Sequence, residues 1–486
     1  MSSRRSLALS RRDLLRQTGL GFGSLALAGL LQDDDGRAAT LGMQRAGFDL
    51  TPKPPHFKPR ARAVIQLMQN GGPSQMDLFD PKPELQKRHG QKHSEKVETL
   101  QAGSESMELM GSPFEFFRTG QCGMDFSTPV RHISSIADEI TMIRSMHTEH
   151  NNHSEALIMF QTGKIFSGRP TAGAWVSYAL GTENQNLPAY VVLRDPEGYN
   201  TNGALNWDNG WLPALYRGTE FASKGDPVLN LKPESPLPQN SQADRLDLLA
   251  KLNERHRLEH PDDTSLEARI RNYELAARMQ LAAGDALDLS RESAATKKMY
   301  GLDDPATAGY GLRCLMARRL VEQGVRFIQV FPPLKPSFQP WDNHANLKEG
   351  VTEIAGATVL PSAALVKDLK ARGLLDEVIV MWAGEFGRLP ISQKGTGRDH
   401  NRNAFSLWLA GGGFKAGYTH GATDELGYRA VENKVSVPDL HATMLRALGL
   451  DHRRLTFEHH GREESLTDVA LTGAQVVDEL LSTPPG

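Results

Sequence analysis

Three short segments between residues 341 and 401 hold side chains that bind metal ions or move protons. They are Trp341-Asp342-Asn343-His344, Gly384-Glu385-Phe386-Gly387-Arg388 and Gly397-Arg398-Asp399-His400-Asn401. A fourth, Gln69-Asn-Gly-Gly-Pro-Ser-Gln75-Met-Asp77, adds a carboxylate. Asp77, Asp342, Glu385 and Asp399, with His344 and His400, make an oxygen-and-imidazole ligand set for a divalent ion; zinc, manganese and calcium are not distinguished by these residue types. One Asp-His pair in a loop is more often a cap or a turn. What gives these weight is that several such loops each follow an apolar run of strand length. Arg388 and Arg398 are suited to bidentate contact with anionic oxygens, or alternatively to pairing with Glu385 or Asp399.

A second cluster reads His147-Thr-Glu-His150-Asn-Asn-His153-Ser154-Glu155. In a continuous helix the threefold spacing would place the three histidines near one face. A helix that starts at Asn151 or Asn152 as N-cap instead leaves His153 and Ser154 in its first turn. The positive end of that helix favours a bound anion or an activated nucleophile. His153, Ser154 and Arg388 are therefore the candidates for action on a substrate. For His150 and His153 a polar surface position is an equal alternative, and for His147 it is the preferred one.

The composition narrows the function classes. The 486 residues carry 55 Lys+Arg against 58 Asp+Glu, a formal net charge of −3, so there is no basic footprint for nucleic acid. Two cysteines, Cys122 and Cys314, are too few for a disulfide framework or a thiolate zinc site. They leave open either a single bridge or two free thiols. Sixteen histidines direct any metal chemistry to nitrogen and oxygen ligands.

The first 39 residues read as an address. Arg4, Arg5, Arg11 and Arg12 precede a short, Gly-rich apolar run at 19–31, and Ser10-Arg11-Arg12-Asp13-Leu14-Leu15 has the form of a twin-arginine signal. The run is shorter than the ~20 residues of a membrane span. The mature chain is thus expected to be exported, periplasmic or extracellular, through the twin-arginine machinery, with no membrane span after signal removal. Residues 40–60 form a Pro-containing linker.

From 61 to 480 the chain reads as a single α/β domain. Apolar runs at 61–68, 140–144, 189–193, 325–331, 377–381 and 405–410 predict strands, and 153–162, 352–372 and 439–448 predict helices, the last ending at Gly449. This alternation implies βαβ units and a mostly parallel central sheet flanked by helices. Residues 85–125 lack a clear period and read as an insertion; 241–300 reads as a charged helical excursion. Parallel sheets gather their sites at the carboxyl ends of the strands, which is where the polar loops fall.

The motifs Gly71-Gly-Pro-Ser-Gln-Met-Asp77-Leu-Phe-Asp80-Pro-Lys, Trp341-Asp-Asn-His344, Glu385-Phe-Gly-Arg388 and Gly397-Arg-Asp-His400 resemble the DUF1501 family of exported bacterial proteins. That family lies within the alkaline phosphatase-like superfamily of sulfatases and phosphoglycerate mutases, and the resemblance covers about residues 60–470. It implies a three-layer sandwich, two metal sites built from Asp and His, and a nucleophile at a helix N-terminus. Carried over, Asp77 resembles the acidic ligand after the first strand, and Asp342 and His344 resemble the Asp…His pair after a middle strand. His400 resembles the last histidine ligand. Glu385-Phe386-Gly387 stands where the superfamily has Asp-His-Gly; Glu385 can replace the aspartate, but Phe386 cannot ligate. The nucleophile position falls on His153, so that either His153 is a ligand or nucleophile, or Ser154 substitutes for it, or the protein is not a hydrolase of the usual kind. The implied function is an exported metal-dependent hydrolase of phosphate or sulfate esters, acting on a small-molecule or polysaccharide anionic ester. The alternative is a degenerate, non-catalytic member that binds an anionic ligand or polysaccharide.

Overall fold

The structure, a computed structural model, describes residues 48–224 and 287–482 together with isolated residues between 247 and 279. The elements below belong to the unit that begins at Asp49. In chain order the main ones are β1 (Ala63–Met68), α1 (Gln75–Leu78), β2 (Ile140–His147), α2 (His153–Thr162), α3 (Ala172–Leu180), β3 (Tyr190–Leu193) and β4 (Thr219–Glu220). They continue with α4 (Pro305–Glu322), β5 (Phe327–Val330), α5 (Leu347–Ala371), β6 (Val378–Ala383), β7 (Phe405–Ala410), β8 (Tyr418–His420), β9 (Val435–Ser436) and α6 (Val437–Ala447).

The nine strands form one sheet in the order β8-β2-β7-β6-β1-β5-β3-β4, with β9 also paired to β2. Each of β1, β5, β6 and β7 is buried along its whole length, which is why they read as nearly continuous apolar runs, interrupted only by Gln66, Gln329 and Ser406, rather than as alternating ones. Pairing is parallel throughout except at β7, which is antiparallel to both β2 and β6. That single reversal matters for the site. The residues just before β7 lie at the same sheet edge as the residues just after β1, β2, β5 and β6.

Side-chain alternation along β1 assigns the two faces. Gln66 and Met68 bond Gln329 and Gln161, so α2 lies on their face, while Gln69 bonds Tyr310 of α4 on the other. α3 packs on the α2 face, with Gly173 against the rings of Tyr190 and Phe327. α6 joins that layer through His441, whose Nε2 faces the Phe160 carbonyl at 2.9 Å. α5 pairs with α4, through Asp368 to Arg318 and Tyr300, which completes a helix–sheet–helix sandwich. All six strands expected from the sequence are present. α5 starts at 347 rather than 352 and continues through Pro361. Helices α3 and α4 and the short edge strands β4, β8 and β9 gave no separate signal.

The expected signal segment, 1–39, and the first part of the linker lie outside the described residues, as does most of the helical excursion at 241–300. Its described end contains a helix, Ala294–Met299, capped by Ser293. The segment 85–125 holds a hairpin of Phe116–Thr119 with Met124–Ser127. Its Leu85, Val97 and Leu109 share a small core with Met76, Leu389, Ile391, Leu426 and Tyr428. Both cysteines are free: Cys122 is exposed and Cys314 is buried in α4. Among the described residues no helix is long and apolar enough to cross a membrane.

His441 gives the fold a pH dependence. Burial pushes its pKa down to about 4, and the single bond to the Phe160 carbonyl does not offset this. Folded His441 therefore holds its proton less tightly than the unfolded chain does. Its contribution is intact above pH ~6.5 and is lost as the pH falls toward 4, by up to about 3 kcal/mol. Urea unfolding of His441→Gln is expected to lose less stability between pH 7 and 4.5 than the wild type; equal losses would exclude His441 as the source.

Candidate metal centre

Four segments meet at the site edge. β2 ends at His147 and the chain turns through 148–152 into α2, where Asn152 is the N-cap and His153 the first helical residue. β5 leads to Trp341-Asp342-Asn343-His344, β6 to Glu385, and His400 precedes the reversed β7. The loops touch tightly. Gly71 has φ +113°, and a Cβ there would lie 2.6 Å from the Asp342 amide nitrogen; one on Gly397 would lie 2.1 Å from the His344 carbonyl carbon. Glycine is required at both places for the loops to pass.

His153, Asp342, His344 and His400 present one donor atom each within 4.8 Å of one another. Asp342 is the centre. Its Oδ1 lies 3.0 Å from His344 Nε2 and 3.2 Å from His400 Nε2, and its Oδ2 lies 3.3 Å from His153 Nε2. The Nε2 atoms of His344 and His400 are 3.1 Å apart. Bonds of 2.0–2.1 Å at tetrahedral angles set donors about 3.3 Å apart, so these separations suit one first-row metal ion.

The other ring nitrogens fix the tautomers. His153 Nδ1 faces Glu385 Oε1 at 2.6 Å, and His400 Nδ1 faces the Asn151 carbonyl at 2.7 Å. His344 Nδ1 faces Gln393 Oε1, an amide whose nitrogen donates to the Ala102 carbonyl. All three partners accept, so each Nδ1 carries the hydrogen and each Nε2 of a neutral ring is left with a lone pair. Burial first, then the Arg388 and His153 charges, hold the His400 pKa down at about 4 against the pull of Asp342, so its ring is neutral at pH 7. The Nε2 atoms of His344 and His400 and a carboxylate oxygen converge within 3.2 Å, a spacing that a shared cation fits. His153 Nε2 is buried and faces Asp342 Oδ2 at 3.3 Å, without a hydrogen bond of good geometry. Burial opposes a charge on His153, but Asp342 and Glu385 outweigh it and raise its pKa. Burial would also raise the Asp342 carboxyl, yet Arg388 and the three histidines hold it well below the usual range.

The structure thus brings together three of the six expected metal ligands, Asp342, His344 and His400, and adds His153, which the sequence placed among the groups acting on substrate. The other three are engaged elsewhere. Asp77, fully buried, forms a fork with Arg398 (2.7 and 3.1 Å) and accepts from the Ser74 hydroxyl. Asp399 accepts from the amides of Leu100, Gln101 and His400 at 2.8–2.9 Å. Glu385 accepts from the Gly71 amide and stands behind His153 as its orienting carboxylate. Arg388 is buried, its Nε and both Nη committed to the carbonyls of Gly72, Arg398 and Gly71 and to Asp342. Ser154 is exposed; its amide donates to Asn152 and its carbonyl accepts from Asn202. His147 and His150 lie outside the cluster, His150 accepting from the Asn152 amide. The family resemblance implies two metal sites; among the described residues one group has metal-binding geometry.

Three contributors had no sequence signal of their own: Gln393, the Asn151 carbonyl and segment 85–125. That segment supplies the Leu100 and Gln101 amides to Asp399, and the carbonyls of Ala102 and Met110 to Gln393 and Arg398. Phe386, unable to ligate, packs its ring 4.7 Å from His153 and 4.6 Å from His400 and seals one side of the cluster.

Fold and site define a three-layer α/β protein with a three-histidine, one-carboxylate cluster of metal-binding geometry at the carboxyl edge of its sheet. Residues 61–481 match the family model described as "Protein of unknown function (DUF1501)", and the chain belongs to that family. No curated protein matches the sequence. Among solved structures it is similar to Ps i-CgsB, at 10% identity and a TM-score of 0.35, over 81% of this chain and 72% of that one. Another is the PsFucS1 sulfatase from Pseudoalteromonas sp. (12% identity, TM-score 0.34, 80% and 68%). A third is the phosphonate monoester hydrolase SpPMH from Silicibacter pomeroyi (12%, 0.31, 72% and 73%).

Substitutions should separate ligands from supports. His153→Ala, His344→Ala and His400→Ala are each expected to lower the zinc retained after dialysis, measured by mass spectrometry. Asp77→Asn should leave zinc per folded molecule unchanged but lower stability by about 3–5 kcal/mol, because it strands the buried Arg398 charge. Zinc loss in Asp77→Asn without destabilisation would place Asp77 back among the ligands.

Proposed function

We propose that this chain is a metal-dependent hydrolase of phosphate or sulfate esters. The observation that carries the proposal is the inward convergence of three Nε2 atoms on Asp342, each ring held by an acceptor at its Nδ1. These four residues would hold the ion. When bound there, a divalent ion supplies Lewis acidity toward an anionic oxygen and lowers the pKa of a coordinated water toward ~7.

The protein's own groups favour an anionic substrate. α2 points its N-terminus, worth about half a positive charge, at the site through its first residue, His153. Arg388 offsets the charge of Asp342, so the ion's charge is only partly neutralised by Glu385. Asp342 and His344, each 20% exposed, open one side of the cluster to solvent. The chemistry implied by the family resemblance, attack on a phosphate or sulfate ester, fits this positive pole.

The attacking group is water. Successive helix residues point about 100° apart; with the His153 ring turned into the cluster, the exposed Ser154 side chain is turned away from it. Export through the twin-arginine route, on the strength of Ser10-Arg11-Arg12-Asp13, is part of the same proposal: that route carries folded proteins and suits a metal loaded beforehand.

One observation favours a second reading. Four protein donors complete a tetrahedron, the closed arrangement of a structural zinc site, so the cluster would then serve a non-catalytic protein that binds an anionic ligand or polysaccharide. The solvent-facing side and the ability of zinc to take a fifth ligand favour the hydrolase.

Assays on aryl phosphates and aryl sulfates separate the two. Zinc- or manganese-loaded protein is expected to turn over at least one substrate, to lose activity with a chelator and to regain it on reloading. Ser154→Ala should stay within about threefold of wild type, whereas loss of more than a hundredfold would assign the attack to Ser154. A bound ion with no turnover on any ester would favour the non-catalytic reading.

A further inference from the structure

Given the metal centre proposed above, we infer that it holds one ion rather than two, and that the Arg388 guanidinium supplies the second positive charge as a fixed part of the protein. Two-metal hydrolytic sites place their ions about 3.5–4 Å apart, each with ligands of its own. A second ion here would need free carboxylates next to Asp342, and the surrounding carboxylates are already engaged. Asp77 is forked by Arg398, and Asp399 holds three backbone amides. Glu385 is shared between the Gly71 amide and His153. Arg388 Nη2, 2.6 Å from Oδ1, takes the side of Asp342 turned away from the histidines.

Arg388 is held there firmly. Its Nε donates to the Gly72 carbonyl at 2.9 Å, its Nη1 to the Arg398 carbonyl at 3.0 Å and its Nη2 also to the Gly71 carbonyl. The Phe386 ring lies against His153 and His400 and leaves apolar surface beside the cluster, where further ligands would be required. A guanidinium in this place does two things. It cancels one negative charge, and its Nη2, fixed in place by the carbonyls that hold the rest of the guanidinium, anchors Oδ1 and leaves Oδ2 to face His153. Arg388 is thus a positioning residue, acting through Asp342.

The test is a titration of chelator-treated full-length protein with Co²⁺, followed by its visible absorption and by calorimetry. Both signals are expected to saturate at one equivalent per chain. Saturation at two equivalents, with both lost in Asp342→Asn, would overturn the inference while leaving a metal centre in place. No binding at any ratio would overturn the centre itself and the inference with it. Arg388→Lys keeps the charge but not the fork. It is expected to weaken Co²⁺ binding 10- to 100-fold and shift the absorption bands, still at one equivalent; unchanged affinity and bands would remove Arg388 from the positioning role. Should Arg388→Lys not fold, the wild-type stoichiometry alone decides between one ion and two.

Discussion

The structure turns on one carboxylate. Asp342 accepts a short contact from Arg388 and faces the Nε2 atoms of His153, His344 and His400. These four partners come from two inter-element loops, after β5 and after β6, and a helix N-terminus, so the position of Asp342 depends on several parts of the carboxyl edge of the sheet. A carboxylate in this setting is costly unless its charge is answered. Arg388 answers it from one side, and the three histidine Nε2 atoms on the other side are placed to share a cation with it. The rest of the edge consists of groups that keep these atoms in place: Glu385 behind His153, Gln393 behind His344 and the Asn151 carbonyl behind His400.

A second tier holds the first. The hairpin pairing of Gly387–Arg388 with His400–Asn401 fixes Arg388 and His400 relative to each other. Arg398 ties that hairpin to α1 through Asp77, and segment 85–125 closes over it through backbone contacts to Asp399, Gln393 and Arg398. An irregular excursion of this kind carries few signals of regular structure because its bonds run to a loop some 300 residues away, not to its own neighbours. What reads as an insertion is a brace for the site.

The sequence made the frame legible for a simple reason. Strands buried on both faces are predominantly apolar, so β1, β5, β6 and β7, and the first half of β2, stand out against polar loops, and Asn152 marks the start of α2. Asp342, His344 and His400 could be picked out because aspartate and histidine recur together in several loops that follow such strands, although each pair alone is an ordinary cap or turn. The carboxylates were harder to assign. Asp77, Glu385 and Asp399 are the same residue types in the same kind of loop, and their partners, Arg398, the Gly71 amide and the Leu100 and Gln101 amides, are set only by the folded contacts. His153 was visible as a functional residue, but its side of the division between ligand and nucleophile depends on where its ring points, which spacing alone does not give. Gln393 carries no pattern at all; it acts because its amide is oriented by the Ala102 carbonyl.

X-ray absorption at the zinc edge of the loaded, full-length protein reads the ligand set itself. The expected spectrum shows about three imidazole nitrogens and one or two oxygens at ~2.0–2.1 Å, with the multiple-scattering features of histidine, and loses imidazole signal in His153→Ala. A first shell dominated by oxygen, or one unchanged in His153→Ala, would contradict a centre built from His153, Asp342, His344 and His400.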